Sequence, residues 1–427
     1  MAQVGFFKGN PTFAAAVRDF PERRGLDRYD RSIFFNFERE EQMMKKLLSF
    51  AMAVIMVLTL AACADSAPAE TAAAAPATEA ATEAAAPAGK SVQELKIAEV
   101  HYSVVEDGGW AQAMHEGILK ACADLGINTE TNLLTMENIA EEDTALVEAT
   151  VETLVDNGAD IIFGCSAGYA TIFAEIQPKY PDVIFAQQGN DVYDNIVEMQ
   201  IRGYEGEFLA GYLCALMNEG SDQLGFEASM DEASVRTALN AYALGAKYAN
   251  PNAKVQVIWA DSWYDLDIEA ANAEALINNG IKFMGMEASS PAVPQKCEEK
   301  GAYCIGYNID MEANAPKAVL TSFCWNWAPI FEDIIKKTAD GTIKISDNYY
   351  EGGECSKLAP FNDDLVPAEI QQKVNDLKAK MESGEVVVYA GELKDDKGNV
   401  LVAAGETMSD EQILAQEFFV ENVVGGK

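Results

Sequence analysis

Glu152-Thr-Leu-Val-Asp-Asn-Gly158 runs into Ala159-Asp-Ile-Ile-Phe-Gly164, and 122 residues later Glu274-Ala-Leu-Ile-Asn-Asn-Gly280 runs into Ile281-Lys-Phe-Met-Gly285. Each segment reads as an amphipathic helix closed by Asn-Gly, where glycine supplies a left-handed cap, followed by a short apolar strand. The units around them repeat in the same order. Lys96–Tyr102 reads as a strand and Trp110–Leu125 as a helix, matched by Gln223–Glu227 and Ala233–Tyr248. The extended stretch Asn132–Met136 is matched by Val255–Trp259, and Asp143–Val155 reads as a helix between strands. Strands alternating with helices form parallel sheets covered by helices. The duplication predicts an α/β chain of two similar Rossmann-like parallel-sheet lobes joined by a hinge.

Sheets of this kind bind ligands outside the carboxyl ends of their strands, and two such lobes enclose a cleft that a hinge can close. The residues that follow the strands are therefore the candidate site. They include Asp107 to Trp110, Cys165-Ser166-Ala-Gly-Tyr169, Gly189-Asn-Asp191, Ser229-Met-Asp231, Asp261-Ser-Trp263-Tyr-Asp265, Ala288-Ser-Ser290, Asn308-Ile-Asp310 and Cys324-Trp325-Asn-Trp327. Of the five tryptophans, Trp259 lies inside a strand and reads as core, whereas Trp110, Trp263, Trp325 and Trp327 fall at strand ends in both halves. A flat ligand held between Trp110 and Trp263 would gain stacking of about 1–3 kcal/mol per aromatic face. Asp107, Asp191, Asp265, Asn308 and Asp310 offer polar groups to orient it, although Asp107 and Asp265 also read as helix N-caps.

Composition narrows the ligand. The 427 residues carry a net charge of −37. Residues 1–62 hold 9 basic and 7 acidic side chains, so the remainder has 22 against 61, a net of −39. Such a surface repels nucleic acid and anionic lipid. The eight cysteines include Cys63; the other seven are an odd number, so at least one thiol is free or paired between chains. Cys122, Cys165 and Cys214 read as core thiols, while Cys297, Cys304, Cys324 and Cys355 could supply a bridge. There is no CxxC and there are two histidines, His101 and His115, so a zinc site of ordinary ligand spacing is not expected.

Lys45 and Lys46 precede an uncharged apolar run, Leu47 to Ala62, that is shorter than the roughly 20 residues of a membrane span and leads through small residues to Cys63. This order predicts a secretory signal at 44–62, and Leu60-Ala-Ala-Cys63 is similar to the lipobox of bacterial lipoproteins, with Cys63 as the lipidated residue. Residues 1–43 then read as a mis-assigned start. Residues 63–94 read as a disordered Ala/Pro/Thr/Glu-rich tether. The folded part is expected at 95–427, some 330 residues, with one lobe at about 95–219 and 317–345 and the other at about 220–316 and 346–427.

With these residues in view, the chain resembles the Bmp (basic membrane protein) family, the binding lipoproteins of purine nucleoside and nucleobase ABC transporters. The family's opening loop and helix are similar to Asp107-Gly-Gly-Trp110-Ala111 followed by Glu116-Gly117, and its middle signature to Tyr204-Glu-Gly-Glu-Phe-Leu-Ala-Gly211. Further resemblances are Gly245-Ala-Lys-Tyr-Ala-Asn-Pro251, Asp261-Ser-Trp-Tyr-Asp265, Gly306-Tyr-Asn-Ile-Asp310, Val319-Leu-Thr-Ser322 and the tail from Ser383. The resemblance implies the type I periplasmic binding protein fold and partnership with a membrane permease and its ATPase; no enzyme activity and no cofactor are expected, and a monomer suits a hinged receptor. Nucleoside-binding members carry an asparagine after the loop aromatic and a lysine after the Leu-Thr-Ser strand, where this chain has Ala111 and Trp325. Those losses of sugar-binding groups, with Trp110 and Trp263 at aromatic positions, point to a purine base, adenine-like, with nucleosides as the alternative. The resemblance implies that Trp110 and Trp263 stack on the base, that Tyr169, Asp107, Ser166, Asn308 and Asp310 are candidates to bond its edge, and that Trp325, with Trp327 as a second candidate, walls off the ribose space.

Gly164-Cys-Ser166-Ala-Gly168 also fits the G-x-S-x-G hydrolase elbow. Both histidines precede the serine, against the order that fold requires, and tight-turn glycines beside a ligand account for the motif better. A lipoprotein that senses its ligand for a membrane regulator would share the same cleft and tether.

Overall fold

A computed structural model of the chain describes residues 89–189 and 193–426. The signal-like run, Cys63, most of the tether, the 1–43 stretch and Asp191 lie outside these residues.

The first sheet has six parallel strands in the order β11-β5-β4-β3-β1-β2, where β1 is Ile97–Val100, β2 Leu133–Met136, β3 Ile161–Gly164, β4 Ile184–Gln188, β5 Val197–Ile201 and β11 Asn348–Glu351. Helix α1 (Trp110–Leu125) leads from β1 towards β2, α2 (Thr144–Asp156) joins β2 to β3, and α3 (Ala170–Ile176) follows β3. The second sheet repeats the pattern: β6 (Gln223–Ala228), α5 (Ala233–Ala249), β7 (Lys254–Trp259), α6 (Leu266–Asn278), β8 (Phe283–Glu287), α7 (Ala292–Lys300) and β9 (Tyr303–Gly306). Its order is β12-β10-β9-β8-β6-β7-β15, with β10 at Val319–Trp325, β12 at Ser356–Leu358 and β15 at Val423–Val424, while β13 (Leu393–Lys394) and β14 (Val400–Val402) form a separate antiparallel pair. Each sheet starts centrally and reverses direction once, between β1 and β3 and between β6 and β8, which makes those strand ends the candidate site.

The duplicated segments do what their composition dictates. α2 ends at Gly158 (φ 84°), with Ala159 N–H donating to Leu154 O at 3.1 Å; α6 ends at Gly280 (φ 90°), with Ile281 N–H donating to Leu276 O at 3.1 Å. In both, glycine takes the left-handed turn that frees the next residue to enter a buried strand.

The chain passes between lobes three times. β5 in the first sheet leads to α4 (Tyr204–Met217), which packs on α5 of the second lobe. β10 of the second sheet leads to α8 (Ala328–Asp340), which packs on α1 of the first. β11 then leads to β12. The crossings therefore fall near residues 202, 326 and 352, not at the expected 219, 316 and 345. The difference has one cause: α4, β10 and β11 are assigned by pairing with distant segments, which local periodicity does not encode.

The Tyr204–Gly211 and Gly245–Pro251 signatures acquire a physical meaning here. A Cβ on Gly211 would collide with the Tyr242 carbonyl, and one on Gly245 with the Phe208 carbonyl. The glycines let α4 and α5 cross backbone to backbone. Cys122, Cys165 and Cys214 are buried as expected, and all seven described cysteines are free, so the Cys297, Cys304, Cys324 and Cys355 group forms no bridge among the described residues.

Candidate ligand-binding cleft

Trp110 opens α1, fixed by the loop before it. Asp107 Oδ1 accepts from Gly109 N–H at 2.8 Å and Gln112 N–H at 3.1 Å, and Oδ2 accepts from Ala111 N–H at 3.2 Å and the Ser103 hydroxyl at 3.0 Å. Gly109 is the N-cap of α1, and Asp107, two residues before it, caps the first turn from outside by accepting from Gly109, Ala111 and Gln112 N–H. Asp265 is itself the N-cap of α6, accepting from Asp267 and Ile268 N–H at 3.1 and 3.0 Å. Trp110 is half-buried, and its indole N–H donates to Cys165 O at 2.9 Å, which pins the ring over the end of β3.

Around that ring the hinge supplies two more indoles. Trp325 meets Trp110 edge to face at 5.5 Å between centroids and Trp327 meets it at 5.8 Å. Trp325 packs against the cores of both lobes, and its N–H donates to Asn308 Oδ1 at 2.9 Å. Asn308 is buried with φ 70° and donates to Ser289 Oγ at 3.4 Å. Trp327 differs from expectation: it is 0% exposed, stacked on Phe331 and against Gly117, and belongs to the core of the first lobe. At the cleft edge, a Cβ on Gly109 would lie 2.6 Å from Ser289 O, so the loop after β1 touches the loop after β8.

The other candidates are dispersed. Trp263 is 46% exposed, on the second lobe, beside exposed Tyr264. Tyr169 is buried, stacked on Phe173, with its hydroxyl donating to Ile139 O at 2.6 Å. Ser166 is half-buried, and Asp310 is exposed, accepting from Glu312 N–H at 3.0 Å. Within the G-x-S-x-G segment, a Cβ on Gly164 would press on Phe173, and one on Gly168 would collide with the Glu141 side chain. Local packing thus accounts for both glycines. Both histidines of the chain are engaged with Glu99.

Buried acids are the feature sequence reasoning missed. Glu287, at the end of β8, accepts from Tyr307 O–H at 3.1 Å, and its other oxygen is buried without a partner. Glu227 of β6 accepts from Asn272 at 3.2 Å and likewise has one unpartnered oxygen. Burial pushes both carboxyls up to about 8. Ser229 Oγ, just past β6, is also buried and unpartnered. The signal was present, since Phe226-Glu-Ala-Ser229 and Met286-Glu-Ala-Ser289 each put a carboxylate inside an apolar strand.

The family model for PnrA-like ABC transporter substrate-binding proteins, Bmp, matches residues 95–392. A purine-binding protein of Brucella abortus is 30% identical over 78% of this chain and 93% of its own length. A Haloferax volcanii protein provisionally named as an ABC transporter glucose-binding protein is 29% identical over 78% of this chain and 81% of its own. Among solved structures, an ABC transporter solute-binding protein from Conexibacter woesei superposes with a TM-score of 0.58 at 18% identity, covering 69% of this chain and 98% of that one. This likeness shows the fold of periplasmic binding proteins. No helix among the described residues is long and apolar enough to cross a membrane.

Proposed function

The chain belongs to the Bmp family of ABC transporter substrate-binding proteins, and on that premise we propose that it captures a purine nucleobase, adenine-like, and delivers it to an ABC importer. The observation that carries the reading is the indole corner: Trp110 held by Cys165 O, Trp325 held by Asn308, and the two rings in edge-to-face contact. Rings fixed in this way offer a flat ligand a face without having to be ordered on binding. The resemblance sets Trp325 at the position where nucleoside-binding members carry a lysine, and Ala111, at the position of their asparagine, is fully buried. The buried, unpartnered oxygens of Glu287 and Ser229 suit the polar edge of a purine: the protonated carboxyl can donate to a ring nitrogen, and the hydroxyl can donate or accept. The Brucella abortus relative, named for purine binding, supports the same ligand class.

In this reading Trp110 is one jaw and Trp263 the other, reached when the lobes close on the ligand. Asn308 and Ser166 orient the ring edge, Tyr169 and Asp310 flank it, and Asp107 sets the helix that carries Trp110. The closed form docks on a permease whose ATPase drives import, while Cys63 carries the lipid that keeps the protein at the outer face of the membrane.

Calorimetric titration of the ligand-stripped protein with adenine, guanine, hypoxanthine, adenosine, guanosine and glucose, with tryptophan fluorescence in parallel, tests the ligand. Tight binding of a base with strong quenching and weak binding of its nucleoside is the expected result. Nucleosides binding at least as tightly as bases would move the assignment to the nucleoside alternative. A response to glucose alone, or to none of these, would overturn the purine reading and leave the family intact.

A further inference from the structure

The chain's two histidines both sit on one carboxylate. Glu99 Oε2 lies 2.9 Å from His101 Nε2, and Oε1 lies 2.7 Å from His115 Nδ1 while accepting from the Thr135 hydroxyl at 2.6 Å. Glu99 and His101 side chains are both 0% exposed. Beside them is Cys165, also buried, because β1 and β3 pair with Val100 opposite Gly164 and the next residue on each strand is His101 and Cys165. One ligand atom from each of Glu99, His101 and Cys165 lies within 4.8 Å of the other two. His101 Nδ1 is buried and has no hydrogen-bond partner.

We propose that Glu99, His101 and Cys165 form a binding site for a divalent transition-metal ion of the zinc class. Imidazole, thiolate and carboxylate together are the donor set of such ions, and the thiolate is the soft member that favours zinc-class ions over calcium or magnesium. Bonds of about 2.0–2.3 Å in a tetrahedron separate ligand atoms by roughly 3.3–3.8 Å, so the ligand atoms shift by on the order of an ångström to close on an ion, which takes the place of the 2.9 Å contact between His101 and Glu99. Binding displaces the Sγ–H proton of Cys165 to solvent and forms a metal–thiolate bond, with no change of oxidation state. His115 and Thr135 stay on the far oxygen of Glu99 and orient it, as outer-shell partners do. Three protein ligands leave a fourth position for water. No local motif announces the site, because Glu99, His101 and Cys165 come from the ends of two adjacent strands and follow no Cys-x-x-Cys or His-x₃-His spacing. Because Cys165 also receives the Trp110 indole N–H through its carbonyl, the ion would lie directly below the indole corner.

Cobalt(II) titration of the chelator-treated, full-length protein, followed by absorbance, tests this without any purine. The expected result is one equivalent bound, with a thiolate-to-cobalt charge-transfer band in the near ultraviolet and tetrahedral bands in the visible. Cys165→Ala and His101→Gln should each weaken binding at least 100-fold, whereas Cys297→Ala should leave it unchanged. Absence of the thiolate band in the wild-type protein would overturn the proposal, and that reading does not depend on any variant folding. So would a band that persists in a correctly folded Cys165→Ala or His101→Gln protein, with folding checked by circular dichroism.

Discussion

Trp325 is the side chain on which both lobes and the cleft converge, and its one polar atom is committed to Asn308. Trp325→Phe keeps most of the ring but leaves the buried Asn308 Oδ1 without its donor. A loss of about 1–3 kcal/mol is expected, read as a lowered urea midpoint at unchanged slope. Trp110→Ala should cost the stacking face, so base affinity should fall roughly 5- to 150-fold by titration while secondary structure is retained. Glu287 gives a pH signature. Its folded-state carboxyl is raised to about 8 by burial, so between about pH 4.5 and 8 the folded chain holds a proton that the unfolded chain has released. Stability from this group is therefore full below that window and falls as pH rises through it, by at most about 1.4 kcal/mol per pH unit. Glu287→Gln should flatten that share of the slope in denaturation curves measured from pH 5 to 9; an unchanged slope would rule the group out. At this scale Asp107 was legible as a cap because its donors lie within five residues. The commitment of the Tyr169 hydroxyl to Ile139, 30 residues away, was not.

Elements were the most legible level. The helix read from periodicity over Trp110–Leu125 is the helix observed, and the Asn-Gly caps of α2 and α6 end where composition placed them. Sheet membership was less legible, since β10 and β11 lie in sheets chosen by partners far along the chain. The crossing of α4 and α5 gives the element its own test. Gly211→Ala places a methyl group on a backbone carbonyl that no side-chain rotation can relieve. A loss of about 1–3 kcal/mol or more is expected in chemical denaturation, with Gly245→Ala behaving alike. Equal stability of both variants would mean that the helices can separate without penalty.

For the whole molecule, Gly109 and Ser289 are a place where loops of the two lobes meet with no room for a side chain on the glycine. Gly109→Ala should hold the cleft ajar: small-angle scattering should show less compaction on adding ligand, and affinity should fall by roughly 5- to 100-fold, about 1–3 kcal/mol. Compaction and affinity matching the wild type would show that the loops yield at no cost. The two-lobe plan was legible from the duplication, because each lobe carries its own strand-helix periodicity. The hinge was not, because it consists of three short crossings without a shared motif.

Those crossings also set the order in which the molecule can be assembled. The first lobe begins with β1 at Ile97 and receives its edge strand, β11, only at Asn348, after most of the second lobe has been synthesised; the second sheet in turn waits for β15 at Val423. Neither lobe is a contiguous stretch of chain, so neither can reach its final form while the chain is still emerging. Closing contacts over such long sequence separations is slow. A chain that stays unfinished until its last segments arrive keeps its apolar strands and unpaired sheet edges open to other chains for longer.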